Sequence, residues 1–175
     1  MTSPHIMILG VGNKLLTDEG FGIHIVEKLV AEYEFGDNVS VVDGGVLGIN
    51  LLGTMSEADK LVVVDVIRNN GEPGTRYRID HEDIPERVRA KNSLHQIDFL
   101  EALTLCQALD HVPHTTIIGV EPVDIETHSV ELTPTVAEQL EPITEYLLKE
   151  LDRLGGHWRR KGAGEHVPCN SLPDC

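Results

Sequence analysis

The sequence predicts an α/β domain: a three-layer sandwich with a mostly parallel sheet and helices on both faces. Three observations predict it. Four short runs rich in Val and Ile, Ile6–Val11, Val39–Val42, Leu61–Val64 and Ile117–Val120, do not alternate with polar residues, as expected of strands buried on both faces. Patterns with helical period lie between them. One further run, Thr75 to Asp80, follows the turn signal Gly71-Glu72-Pro73-Gly74 with no helix before it, so it is expected to be antiparallel.

From Phe21 the apolar residues recur at Ile25, Val26, Leu29, Val30 and Tyr33, one face of a helix that Thr17 or Asp18 can cap. Leu47 to Met55 reads as a second, shorter helix. Ser93-Leu94-His95-Gln96 has the form of a capping box, opening a helix that carries Ile97, Leu100, Leu103 and Leu109. Thr133-Pro134 starts the last helix, with its apolar stripe at Val136, Leu140, Ile143, Leu147 and Leu151. Pro142 falls inside that pattern and is expected to kink it. Residues 1–154 thus form one domain. From Gly155 to Cys175 glycines and prolines replace apolar periodicity, which predicts a mobile tail over residues 155–175.

Composition narrows the function classes. The 175 residues carry a net charge of −15, which disfavours nucleic acid and anionic membrane as partners; a basic peptide segment is compatible with it. Three cysteines, Cys106, Cys169 and Cys175, do not make a disulfide framework. The first apolar run is too short for a signal peptide, and no stretch approaches the roughly 20 apolar residues of a membrane helix. A cytoplasmic protein is expected, and a monomer.

The informative residues stand at the strand ends, where open α/β sheets bind their ligands. The second strand ends in Asp43-Gly44-Gly45, the third in Asp65, the fourth in Glu121-Pro122. The first runs through Gly10-Val11-Gly12-Asn13 into a loop holding Thr17-Asp18-Glu19. A crevice edged by carboxylates on rigid supports can bind a cation. Asp18 fits equally as an offset to a helix dipole, and Glu19 admits the same reading. Asp43 before two glycines can serve only to shape a turn. Asp65 lies between Leu61-Val62-Val63-Val64 and Val66-Ile67, where a carboxylate needs a partner or a metal. His95, in the first turn of its expected helix, is favoured in the neutral form that binds metal, although one of nine histidines can also be an ordinary surface residue.

Other chemistry is excluded by residues. Gly10-Val11-Gly12 lacks the third glycine of a dinucleotide loop, since Leu15 stands there. His81-Glu82-Asp83-Ile84-Pro85 begins like a zinc-protease helix, but Pro85 replaces the second histidine. His157, His166, Cys169 and Cys175 match no zinc module. No nucleophile elbow is present.

Taken in order, Gly10-Val11-Gly12-Asn13 with Leu16-Thr17-Asp18-Glu19-Gly20, Asp43-Gly44-Gly45 with Gly48, Asp65, His95-Gln96, Gly119-Val120-Glu121-Pro122 and Leu132-Thr133-Pro134 resemble the motifs of the hydrogenase maturation proteases. The resemblance runs from about Ile6 to Leu151 and leaves the tail uncovered. It implies a five-stranded sheet between helices, and metal ligands at Glu19, Asp65 and His95. It implies a substrate, the precursor of a nickel–iron hydrogenase large subunit, into which nickel has already been inserted. The protease would sense that nickel and remove the C-terminal extension by cutting after a His or Arg. On this reading the nickel arrives with the substrate, and the metal orients the bond, polarises its carbonyl or activates a water. One carboxylate could instead act as general base. Asp43, Gly44 and Gly45 would receive the peptide, because glycines let a backbone approach closely. Two other classes fit parts of the pattern: a non-catalytic metal-dependent chaperone for the same precursor, and a small-nucleotide-binding domain.

Overall fold

The computed structural model describes residues 3–46, 55–84 and 113–162. Strand β1 (Ile6–Val11) is buried along its whole length. Its side chains divide between two cores. Ile6 and Ile8 pack with Phe21, Ile25 and Leu29 on one face of the sheet, while Met7 and Leu9 pack with Leu61, Val63 and Ile117 on the other. This two-sided burial explains the uninterrupted apolar run.

Helix α1 (Phe21–Glu32) follows a 3₁₀ turn at Thr17–Gly20. Strands β2 (Tyr33–Phe35), β3 (Val39–Gly45), β4 (Lys60–Val66), β5 (Arg76–Ile79) and β6 (His114–Val120) come next in chain order. The main sheet has five strands in the order β3-β1-β4-β6-β5. Neighbours are parallel except β5, which runs antiparallel to β6 as the turn signal predicts. α1 and the last helix cover one face. Met55 and Ile84 contribute to the core on the other. Most of the expected helix at Leu47–Met55, and all of the one opening at Ser93, lie outside the described residues. Met55 and Ser56 themselves are helical. Among the described residues no helix is long and apolar enough to cross a membrane.

The expected last helix is two helices, α2 (Pro134–Ala137) and α3 (Leu140–Leu154). The break at Glu138-Gln139 has a steric cause. A continuous helix would drive the Pro142 ring against the carbonyl of Glu138 and leave that carbonyl without a donor. In α3, Pro142 instead occupies the first turn, where a backbone N–H has no intrahelical partner to lose. α3 then buries Ile143, Leu147, Leu148 and Leu151.

Two expectations need correction. Tyr33 does not continue α1; it opens β2, which pairs antiparallel with β7 (Trp158–Arg160). The segment expected to be mobile from Gly155 therefore carries a strand. Gly155, at φ +85°, ends α3 in the left-handed cap and turns the chain back. Trp158 then meets the Tyr33 ring edge-on at 5.6 Å and donates its indole N–H to Asp152 at 2.9 Å. Arg159 pairs with Glu34, and Arg160 with Glu32.

Candidate active site

The strand order locates the crevice. From β1 the chain crosses through α1 to β3 on one side; from β3 it returns to β4 on the other side of β1. The carboxyl ends of β1 and β4 therefore flank a topological switch point, the usual ligand crevice of an open sheet. Glu19 lies in the loop after β1, and Asp65 near the end of β4.

Close backbone packing draws these two elements together. A Cβ on Gly22, in the first turn of α1, would stand 2.2 Å from the carbonyl oxygen of Val64 and 2.4 Å from that of Val11. Only glycine lets the helix start rest directly on β1 and β4. Gly12, at φ +139°, makes a second such approach: a Cβ there would lie 1.8 Å from the carbonyl oxygen of Glu19. That carbonyl accepts a hydrogen bond from the amide of Asn13 at 3.2 Å, which fixes the Glu19 backbone over the end of β1. The glycines that fail as a dinucleotide loop thus serve to seat an acid.

Electrostatics tie the two acids together. Glu19 is buried. Asp65 is partly buried, and its Oδ1 accepts the amide N–H of Val66 at 2.7 Å. Burial pushes the Asp65 carboxyl up to about 8; the Val66 hydrogen bond opposes the rise, and the charge of Glu19 adds to it. The charge of Glu19 beside the partly buried Asp65 is a penalty that a divalent cation bound there would relieve. Among the described residues no three His, Cys, Asp or Glu side chains gather as a metal-holding group. The third expected ligand, His95, lies outside the described residues.

The remaining strand-end acids do other work. Asp18 is wholly buried, and it neither caps α1 nor merely offsets its dipole. Its Oδ2 accepts the amides of Val123 and Asp124 at 2.9 and 3.0 Å and the Thr133 hydroxyl at 3.0 Å, while Oδ1 accepts the Thr133 amide at 2.8 Å. Thr133, expected as a helix cap, gives its hydroxyl to this acid instead. Thr17 just before it holds a left-handed φ of +47°, rare for a β-branched residue. Its hydroxyl donates to Thr127 and its amide to Ser129, at 2.6 and 2.8 Å. The loop after β6 thus grips the turn that carries Glu19. Pattern reading missed this role because three of the groups bound are backbone amides far away in sequence. Asp18→Ala leaves those amides without an acceptor and is expected to cost about 3 kcal/mol, read as a lower midpoint in urea unfolding.

Glu121 is likewise structural. It accepts the Asn69 amide at 2.8 Å and the Tyr77 hydroxyl at 2.7 Å, closing the loop between β4 and β5. Asp43 is exposed, and its Oδ1 accepts the Gly45 amide at 2.8 Å. The Gly45 carbonyl accepts the Gly12 amide at 3.0 Å. Asp43-Gly44-Gly45 therefore forms the irregular last segment of edge strand β3, where the register with β1 shifts, joined to the loop that carries Glu19.

Residues 23–150 match the family model described as HycI, hydrogenase maturation protease. The chain belongs to the hydrogenase maturation protease family. It is accordingly an endopeptidase. It is 38% identical to the hydrogenase 2 maturation protease of Escherichia coli K12, over 97% of this chain and 99% of that one. It is also 38% identical to the hydrogenase expression/formation protein HupD of Thiocapsa roseopersicina, over 98% of this chain and 80% of that one. The E. coli hydrogenase maturating endopeptidase HybD superposes with a TM-score of 0.84 at 37% identity, covering 90% of this chain and 98% of that structure. The five-stranded mixed sheet of this maturation protease is the fold shared with that neighbour.

Proposed function

We propose that this maturation protease removes the C-terminal extension of a nickel–iron hydrogenase large-subunit precursor after nickel has been inserted, and that Glu19, Asp65 and His95 bind that nickel. The observation that supports the reading is the meeting of Glu19 and Asp65 at the switch point between β1 and β4. An endopeptidase whose crevice sets the charge of Glu19 against the partly buried Asp65 is suited to a substrate that brings its own cation.

In this scheme Glu19 and Asp65 supply oxygen donors to the substrate's nickel and His95 a nitrogen. Asp65 gives up its proton when the cation enters, because its charge is then compensated. Docking through the metal holds the neighbouring peptide bond in the crevice and lowers the entropic cost of attack. Asp43, Gly44 and Gly45 lie beside the Glu19 loop, where they receive the peptide on either side of that bond.

The experiment compares nickel-loaded and nickel-free precursor, with the released tail followed by mass spectrometry. The loaded form is expected to be cut and the nickel-free form left intact. Equal cleavage of both removes nickel from the recognition step. His95→Ala in a folded protein is expected to lose cleavage of the loaded form; wild-type rates would remove His95 from the ligand set.

A further inference from the structure

Six large apolar side chains stand exposed among the described residues: Leu15, Val30, Val46, Val123, Val130 and Tyr146. Single exposed apolar residues are ordinary. Their distribution is not. Val30 and Tyr146 lie on α1 and α3. The other four lie on loops at the carboxyl end of the sheet, around Glu19 and Asp65. Leu15 is in the loop after β1, Val46 follows β3, and Val123 and Val130 are in the loop after β6. Leu15 is 63% exposed, in the same loop that buries Glu19.

These loops are fixed to one another. The Leu15 carbonyl accepts the Ser129 amide at 3.1 Å, which places Val130 beside it. Asp18 holds the amide of Val123. Gly45, before Val46, is joined to Gly12. Apolar groups presented on braced loops lose little freedom when covered, so burying them favours association. Val123 also lines a cavity of about 260 Å³ between the loops after β4 and β6. The charged groups lining that cavity are Arg68 against Glu121, Asp124 and Glu126, a balance that favours a basic group, as does the net charge of the chain.

We infer that Leu15, Val46, Val123 and Val130 form an apolar collar that docks an extended segment of the precursor, apolar in its centre and basic at its flank, next to the bond to be cut. The inference rests on the proposed function and assigns the surface that holds the substrate apart from its metal. Clustered exposed apolar groups mark such surfaces, and the collar surrounds the crevice where the peptide must lie.

The test measures binding of nickel-loaded precursor to the full-length protein. Leu15→Glu with Val123→Glu is expected to raise Kd at least tenfold, while Val30→Glu leaves it within twofold. Both sites are exposed, and circular dichroism melting confirms the fold. Leu15→Lys with Val123→Lys is expected to weaken binding as well, since apolar contact is lost in either case. Tighter binding by the glutamate pair would show a purely electrostatic contact with a basic segment and overturn the collar. Unchanged Kd in both pairs, with the wild type binding and cutting, overturns the collar and leaves the proposed function standing. A wild type that neither binds nor cuts overturns both.

Discussion

Asp65→Asn is expected to lower cleavage of nickel-loaded precursor by on the order of 10²-fold or more while the protein stays folded. The substitution separates charge from shape. Asparagine keeps an oxygen that can accept the Val66 amide, now bound at 2.7 Å, so the end of β4 is preserved. It brings no negative charge to a cation. The same variant is expected to be more stable than the wild type in alkaline solution. Burial and the charge of Glu19 raise the Asp65 carboxyl from its ordinary 3.8 to about 8 in the folded chain. Between those values the folded state holds a proton that the unfolded state has released. Wild-type stability therefore falls as pH rises through this window, and the cost is complete above about pH 8. Asparagine does not titrate there. The unfolding free energy of the variant minus that of the wild type, read by urea unfolding, should grow from pH 5 to pH 9 in metal-free buffer, reaching a gain of about 1–3 kcal/mol. Lost cleavage together with this pH-dependent gain is the signature of an acid held at some cost to the fold for the sake of function. Wild-type cleavage by Asp65→Asn would remove Asp65 from the site.

Most of the fold was legible because the physics that sets it is local or periodic. β1, β3, β4 and β6 announce themselves as apolar runs, since strands covered on both faces have no polar side to show. β5 was legible from a turn without a helix. What sequence hid depends on partners distant along the chain. Tyr33 continues the apolar period of α1, yet it leaves the helix because Trp158 packs on its ring and β7 pairs with it. Nothing near Trp158 in sequence shows that partner, and the glycines around it suggest looseness. The position of Pro142 predicts a kink, whereas the chain breaks the helix before it. Within the site, the switch-point position of Glu19 and Asp65 follows from strand order, which the βαβ pattern suggests. The division of labour between Asp18 and Glu19 does not. Adjacent acids at a helix start look alike in sequence, but one accepts hydrogen bonds from the loop after β6 while the charge of the other acts on Asp65.

Gly12→Ala is expected to have the largest effect on folding of any single methyl added to the chain around the crevice. The new Cβ would lie 1.8 Å from the Glu19 carbonyl oxygen, well inside contact distance, and the backbone at φ +139° is one that side chains rarely adopt. The obstacle is backbone, which cannot swing aside as a flexible side chain can. Relief requires the turn Thr17–Gly20 to lift, and that turn is bound through Thr17 and Asp18 to the loop after β6. A loss of at least about 3 kcal/mol is expected, read by urea unfolding, with cleavage lost wherever the protein still folds, because Glu19 moves away from Asp65. Gly155→Ala supplies the comparison. Gly155 also has positive φ, +85°, but a Cβ there would meet nothing within 4 Å. Its substitution should cost only the left-handed penalty of about 1–2 kcal/mol and leave cleavage intact. If the two variants lose the same stability, backbone conformation alone accounts for Gly12. If Gly12→Ala loses far more and takes activity with it, the close approach of β1 to the Glu19 turn is what holds the two acids in one crevice.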